Sequence, residues 1–252
     1  MRIQILGPLF VEHEDQPHDI GSAKSRTILA MLSLGVGLPV TVDQLVDELW
    51  PDSATGNARN ALQANIVRLR KRLSQITGES GDQIVRTTSI GYVLALPSEA
   101  IDAQRFLTTA EQGSRAVGTD PVRAAELLGT ALRMWRGPAL LDVVGGPRCR
   151  GGATSLDERR LAAREDLIAA KLATGAERVV VSELRQLVTE HPEREKFSEQ
   201  LMLALYRSGR QAEAVDTFHY ARRWLDTELG LAPGRGLSQL YHRILNHDHV
   251  LG

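Results

Sequence analysis

The sequence predicts an α+β domain over residues 1–97 and an all-α domain over residues 98–252. Short runs of alternating polar and apolar residues near both ends of the first segment are typical of half-buried strands. Between those runs, three stretches have apolar residues at helical spacing. After Leu96-Pro97-Ser98 the strand signals fade, and Ala, Leu, Glu and Arg dominate as far as Leu245. These observations indicate two domains of different class that meet at residue 97.

The bulk composition is that of an ordinary globular protein. The 252 residues are 42% hydrophobic and 24% charged, with a formal net charge of −1, and this length suits two domains. No apolar run reaches the roughly 18 residues of a membrane span, and Met1 to Phe10 lacks the order of a signal peptide. Cys149 is the single cysteine, so neither an internal disulfide nor a cysteine metal cluster can form. We therefore expect a cytoplasmic protein with no membrane contact, metal or cofactor.

The first predicted strands lie at the N-terminus. Arg2 to Leu6 alternates polar and apolar residues, and Gly7-Pro8 interrupts the pattern. Leu9 to Val11 and Gln16 to Ile20 are then predicted as two short strands around a polar turn. The chain therefore begins with a small sheet.

Three helices are predicted next. The first covers Ser25 to Leu34, where apolar residues recur at helical spacing. The second begins after Thr41, because Thr41 and Gln44 form a capping-box pattern, and it ends before Pro51. The third and longest covers about Asn57 to Ile76.

A predicted hairpin closes the first domain. Ile84 to Thr87 and Tyr92 to Leu94 are its two strands, with Gly91 near the turn. The order of strands, three helices and a hairpin is the layout of a winged helix-turn-helix. In a helix-turn-helix, one helix is the recognition helix that enters the major groove of DNA.

The all-α segment contains an internal repeat. Tetratricopeptide units place small or apolar residues at fixed offsets in their second helix, with a period of about 34 residues. Val180, Leu184 and Leu187 form one such set, and Pro192 follows it. Ala214, Phe218 and Ala221 have the same offsets 34 residues later. A looser copy precedes both sets at Ala124, Leu128 and Ala131. We therefore predict a tetratricopeptide-like stack of helical hairpins.

The third predicted helix has two distinct faces. At 100° per residue, Leu62, Ile66, Leu69 and Leu73 fall within about 60° of one another and form a buried stripe. The opposite face carries five residues, with two more at its margins: Asn60, Ala64, Val67, Arg68 and Lys71, then Gln63 and Arg72. Ala64 and Val67 are apolar although they point outward.

The outward face carries no acidic residue. No Asp or Glu occurs between Asp52 and Glu79, whereas five basic residues do: Arg59, Arg68, Arg70, Lys71 and Arg72. An ordinary solvated helix is stabilised by pairs of opposite charge on its surface, and this helix lacks them. The alternative to a DNA-binding helix is a solvated basic helix that packs through its leucine stripe. Arg and Lys bond guanine or phosphate, Asn and Gln bond adenine, and apolar side chains contact thymine methyl groups. The order of the surrounding elements favours DNA binding.

The neutral net charge does not exclude DNA as a ligand. Residues 1–97 contain nine basic and ten acidic residues. The acids lie mostly in the predicted N-terminal sheet and second helix, and the bases lie mostly in the third helix. A local basic patch is sufficient to bind phosphate.

At this point the sequence resembles a known family. Ala58 to Leu73, followed by Gly91-Tyr92-Val93-Leu94, resembles the OmpR-type winged helix. Ala131 to Leu140, Gln200 to Ala214 and Glu228 to Gly234 resemble the bacterial transcriptional activation domain. Together they resemble the Streptomyces antibiotic regulatory protein family over nearly the whole chain. Ending at Gly252, the chain is expected to be a small, two-domain member without a built-in ligand switch.

The resemblance implies a pathway-specific activator of secondary-metabolite (antibiotic) genes. Such proteins bind double-stranded DNA at direct repeats near the −35 region, associate on the tandem sites, and help the RNA polymerase holoenzyme with its sigma factor to engage. Arg68, Lys71, Asn60, Ala64 and Val67 match positions that contact DNA in OmpR-type recognition helices. The predicted DNA-binding residues are these five with Gln63 and Arg72 at the margins of the face, and Arg86 and Thr88 of the wing. Thr88 stands where many relatives carry a basic residue, so the wing contact falls either to Arg86 or to phosphate alone.

Other signals favour no enzyme. Gly145 to Gly152 lacks the Lys-Ser/Thr and the preceding strand of a P-loop, so we expect a flexible loop there. No Ser-His-Asp motif or paired-carboxylate spacing occurs. Two other functions remain open: a helical-repeat scaffold that binds protein through its stack, and a repressor with the same DNA contacts.

Overall fold

The computed structural model describes residues 1–51 and 57–247. The chain forms two compact units. The first comprises residues 1–111 with residues 130–162, and the second comprises residues 112–129 with those from 163 onward. The predicted fold class, a winged helix-turn-helix followed by a tetratricopeptide-like helical segment, is confirmed.

The first unit begins with an antiparallel sheet of three strands in the order β1-β2-β3. The strands are β1 (Arg2–Gln4), β2 (Phe10–His13) and β3 (Gln16–His18), with Ile3 opposite Val11. Because Ile3 and Val11 point to the same face, both are fully buried. Predicted strand Gln16 to Ile20 is shorter than expected, since it ends at His18.

The predicted winged-helix elements follow in the expected order. They are α1 (Ala23–Leu34), β4 (Val40–Thr41), α2 (Val42–Leu49), α3 (Ala58–Thr77), α4 (Gly81–Ile84), β5 (Val85–Thr87) and β6 (Gly91–Leu94). The capping box at Thr41 and Gln44 is confirmed, with both hydrogen bonds present. Ile84, predicted as a strand residue, ends the short helix α4 instead.

The wing is a second three-stranded sheet, in the order β4-β6-β5. β6 lies between β4 and β5 and is antiparallel to both. Gly91 opens β6 so close to the carbonyl of Val40 that a Cβ atom there would collide with it. Glycine is therefore required where β6 pairs with β4, the strand that leads directly into α2.

A clamp built around Asp102 completes the first unit. After a turn of 3₁₀ helix (Ser98–Ala100), α5 (Asp102–Ala116) begins with this fully buried carboxylate. The backbone N–H groups of Ile5 and Leu6 donate to its two oxygens at 2.8 and 3.0 Å. Arg136 Nη2 donates to Asp102 Oδ2 at 3.2 Å. Burial raises the pKa of Asp102, and these donors oppose the shift.

The segment after α6 (Pro121–Leu132) reinforces this clamp. The backbone N–H groups of Arg136 and Leu140 donate to the carbonyls of Leu6 and Ile5. The Trp135 ring packs edge-on against Phe106, with ring centroids 5.2 Å apart. The Arg136 guanidinium lies 4.9 Å from the centroid of Phe10. These contacts give a structural reason for the motif from Ala131 to Leu140.

The prediction of a flexible loop at Gly145 to Gly152 is wrong. From Pro147 onward these residues form the start of α7 (Pro147–Ala173). Proline suits the first helical position, and the buried Glu48 carboxylate accepts hydrogen bonds from the N–H groups of Arg148 and Cys149 at 3.0 and 2.9 Å. Glu48 lies 100 residues earlier in the chain, so local sequence could not reveal this cap.

The Cys149 thiol is held in its protonated form. Its side chain is buried, and burial raises the pKa of the thiol well above its ordinary value. The neighbouring Glu48 carboxylate raises the pKa further. Because the thiolate is the reactive form, Cys149 is a packing residue of the first unit.

Among the described residues, the second unit consists of helices and the turns that join them, without a strand. Beyond α7, its helices are α8 (Glu177–Glu190), α9 (Glu195–Arg207), α10 (Gln211–Trp224) and α11 (Arg235–Leu245), with a π-helical turn at Leu225–Leu229. Every residue of the three repeated sets is buried, as expected for the core-facing positions of amphipathic helices. Both α8 and α10 pack against α9.

None of the helices among the described residues is long and apolar enough to cross a membrane. Within the same residues, no group of three or more His, Cys, Asp or Glu side chains is arranged to hold a metal ion.

Candidate nucleic-acid interface

The helix α3 is fixed in the first unit by its apolar stripe. Leu62, Ile66, Leu69 and Leu73 are at most 1% exposed, which confirms the predicted buried face. Gly78 ends the helix in the left-handed conformation, with φ of 73°. The stripe packs towards α1 and α2, so the opposite face of α3 is held outward by the core.

The predicted outward face is exposed. Its five members, Asn60, Ala64, Val67, Arg68 and Lys71, are all exposed, and so is Gln63 at its margin. Val67 is 62% exposed. Among the described residues, the polar side chains of this face make no hydrogen bond or ion pair with the rest of the protein. Amide, guanidinium and ammonium donors are therefore available to an external ligand beside a small apolar surface.

Arg70 belongs to the same basic run but faces the wing. Its Nε and Nη2 atoms donate to the carbonyl oxygen of Val85 at 2.8 and 2.6 Å, and Nη2 also donates to Thr87 Oγ1. Its Nη1 atom lies 2.7 Å from Asp82 Oδ1. Only 17% of the Arg70 side chain is exposed. Arg70 therefore attaches β5 to α3 and has few donors left for DNA.

Arg70→Lys is expected to weaken DNA binding a few-fold without changing its salt dependence. Lysine keeps the charge but cannot form the forked contact with Val85 and Thr87, so the wing loses its attachment to α3. Removing a residue that contacts phosphate directly would make the plot of log K against log salt shallower, by about 1 in slope. Fluorescence anisotropy across a salt series distinguishes the two roles. Lys71→Ala is the control and is expected to make this slope shallower. A shallower slope for Arg70→Lys would contradict the anchoring role.

The remaining predicted residues are partly engaged within the protein. Arg72 Nε donates to the carbonyl of Asp19, and Arg86 Nε donates to the carbonyl of Gln83. Thr88 Oγ1 accepts from the backbone N–H of Gly91 and so shapes the turn of the wing. Each guanidinium keeps four further N–H donors, so these contacts orient Arg72 and Arg86 without using up their hydrogen-bonding capacity.

Sequence reasoning did not include Arg59 and Ile90 among the site residues. Arg59 Nη2 lies 2.8 Å from Asp43 Oδ1, and both side chains are largely exposed. A cavity of about 330 Å³ lies between this ion pair and the wing, and Gln63 and Ile90 are among its lining residues. Ile90 is 54% exposed at the wing tip. The acid-free run already contained Arg59, but only the fold brings it beside the wing.

Two family models match the chain. The model described as a bacterial transcriptional activator domain matches residues 101–245. The model described as transcriptional regulatory protein, C terminal, matches residues 20–94. The outward face of α3 and the hairpin β5–β6 lie within the second match.

Relatives match along the full length of the chain. It is 43% identical over 252 residues to Transcriptional regulator RedD of Streptomyces coelicolor, covering all of this chain and 72% of RedD. It is 34% identical to Regulatory protein DnrI of Streptomyces peucetius, covering 98% of this chain and 93% of DnrI. The structure of Mycobacterium tuberculosis EmbR in complex with a low-affinity phosphopeptide has a TM-score of 0.93 at 33% identity, covering 98% of this chain and 65% of EmbR.

Proposed function

Since this chain belongs to the Streptomyces antibiotic regulatory protein family, we propose that it activates a secondary-metabolite (antibiotic) gene cluster by sequence-specific binding to double-stranded DNA. It is a transcriptional regulator rather than a member of an enzyme family. One observation supports specific binding most strongly. The outward face of α3 is exposed, acid-free and without partners among the described residues.

In this proposal α3 lies in the major groove. Arg68 and Asn60 bond base edges, Lys71 and Arg72 neutralise phosphates, and Gln63 bonds a base or a phosphate. Ala64 and Val67 contact thymine methyl groups, because they are apolar and point outward. Arg86 and Thr88 place the wing against the neighbouring backbone.

The proposed target is a pair of direct repeats near the −35 region. Two copies on such repeats are related head to tail, unlike a palindromic dimer, and they associate through unlike surfaces. In this proposal the DNA-binding domain ends at residue 97. The all-α domain that follows offers surfaces to RNA polymerase holoenzyme and its sigma factor. The protein acts in the cytoplasm, where its DNA target is.

The DNA-binding part is tested with the purified chain and promoter fragments from its own gene neighbourhood. We expect one fragment with tandem repeats to bind at least tenfold more tightly than a scrambled fragment, with affinity that falls steeply as salt rises. Changing the spacing between the repeats by half a helical turn should abolish tight binding. Equal affinity for all fragments would refute sequence-specific binding.

Activation is tested separately by in vitro transcription with purified holoenzyme. We expect transcript from the bound promoter to increase when the protein is added. A decrease would identify a repressor that uses the same contacts. Absence of any effect, together with absence of DNA binding, would favour the helical-repeat scaffold.

A further inference from the structure

A groove in the second unit lies between α8 and α10. This open groove has a volume of about 440 Å³, and its lining includes Val188, Leu201 and Leu205. These three side chains are 5%, 4% and 1% exposed, so they form an apolar floor. Thr189 on α8 and Thr217 on α10 contribute hydroxyl groups to its two sides. The volume of the groove is sufficient for one large apolar side chain of a ligand.

An ion-pair cluster occupies one part of the groove lining. Arg185 on α8 pairs with Glu213 on α10. Arg210 also forms a forked contact with Glu213, at 2.7 Å to each carboxylate oxygen. These two arginines lower the pKa of Glu213, which is therefore ionised and fully paired. Glu213 is therefore already engaged by two arginines.

Asp216 is the acid of the groove that stays available. It is exposed, and among the described residues its carboxylate has no ion pair or hydrogen bond. Tyr220 lies one turn further along α10 on the same face and is 41% exposed. A carboxylate and an aromatic ring side by side both attract a cation. This side of the groove therefore suits a lysine or arginine.

We propose that this groove binds an amphipathic segment of another protein, with a large apolar side chain on the floor and a basic side chain against Asp216 and Tyr220. Nucleic acid is disfavoured, because the lining carries two acids, Glu213 and Asp216, against one base, Arg185. A small molecule fits less well, because such ligands are enclosed over most of their surface, whereas Asp216, Thr189 and Tyr220 are exposed. The groove thus offers the protein a docking surface separate from the outward face of α3.

The probe is a capped helical peptide with two leucines four residues apart and lysines on both flanks. Its matched partner has glutamate in place of every lysine. Isothermal titration calorimetry with the full chain should show saturable binding of the lysine peptide and weaker binding of the glutamate peptide. Replacing the leucines by serine should abolish binding of the lysine peptide, because the apolar floor loses its occupant.

A charge exchange at Asp216 locates the binding site. Asp216→Lys should weaken the lysine peptide about fivefold and strengthen the glutamate peptide by a similar factor. Asp226→Lys is the matched control, because Asp226 is also exposed but does not line the groove. It should leave both affinities within about twofold of wild type. Equal effects of the two substitutions would mean diffuse attraction to an acidic surface and would refute the site.

Filling the groove gives a second test that does not depend on charge. Thr189→Trp should abolish binding of both peptides, whereas Ser182→Trp, at an exposed position of α8 outside the groove, should not. Failure of the lysine peptide to bind at millimolar concentration would overturn the proposal. If Thr189→Trp instead dissociates an oligomer of this chain in sedimentation experiments, the occupant is a second copy and the proposal is wrong. DNA affinity is measured in parallel and should be unchanged by either substitution.

Discussion

Arg68→Ala is expected to weaken binding to the specific promoter fragment by about 5-fold to 150-fold, the range for losing one bidentate base contact. Binding to scrambled DNA should fall much less, so the specificity ratio should shrink. Arg68 is exposed at the centre of the outward face of α3 and has no partner among the described residues. Its loss therefore leaves the fold intact. Competition binding at fixed salt measures both affinities.

Lys71→Ala should weaken specific and scrambled DNA alike, because a phosphate contact carries no sequence information. Arg223→Ala controls for general loss of positive charge, since Arg223 is exposed on α10 outside the proposed interface, and it should bind as wild type.

Val67→Ser should leave the salt slope unchanged. It should also remove any penalty for replacing thymine by deoxyuridine, which lacks the methyl group. Wild-type affinity for both Arg68→Ala and Lys71→Ala would show that α3 is not the recognition helix.

Asp102→Asn is expected to lower the free energy of unfolding of the first unit by about 3 kcal/mol at neutral pH. The asparagine amide would place an N–H donor where Asp102 Oδ2 now accepts from Leu6 and Arg136. Two donors would then lose their acceptor in a buried site. Because Arg136 is 32% exposed, most of the loss comes from the backbone contact rather than from the ion pair.

Urea unfolding followed by tryptophan fluorescence measures this effect, because two of the three tryptophans, Trp50 and Trp135, lie in the first unit. Asp47→Asn is the control: Asp47 is exposed without a partner among the described residues, so its change should stay within about 0.5 kcal/mol. A midpoint for Asp102→Asn equal to that of the control would refute the clamp.

The difference between wild type and Asp102→Asn should also depend on pH. The folded pKa of Asp102 is raised above its ordinary value of 3.8, so the folded protein holds this proton more tightly than the unfolded chain. The resulting stabilisation is fully present below 3.8 and is lost as pH rises through the raised folded pKa. The stability gap should therefore be larger at acid pH than at neutral pH, and an opposite trend would contradict the direction of the shift.

Local signals in the sequence were sufficient for most of the first unit and for the repeat of the second. The leucine stripe of α3, the capping box at Thr41 and the repeated sets all follow from the 3.6-residue period or from contacts within a few positions. The outward face was predictable for the same reason, because burying Leu62 and Leu69 leaves Arg68 and Lys71 outside. What these residues bind is still a proposal.

Contacts distant in sequence decided the rest. Arg68 and Arg70 are two residues apart in one basic run, and only the position of β5 turns Arg70 into an anchor for the wing. The local sequence of Gly145 to Gly152 predicts a loop. Glu48 instead accepts hydrogen bonds from the N–H groups of Arg148 and Cys149 and so caps the start of α7 there. Asp102 reads as an ordinary first-turn acid until Ile5, Leu6 and Arg136 surround it. The sequence by itself determined the secondary structure and its faces, since periodicity is local. Only the tertiary structure decided which charges are used internally, because an ion pair depends on proximity that the chain order does not encode.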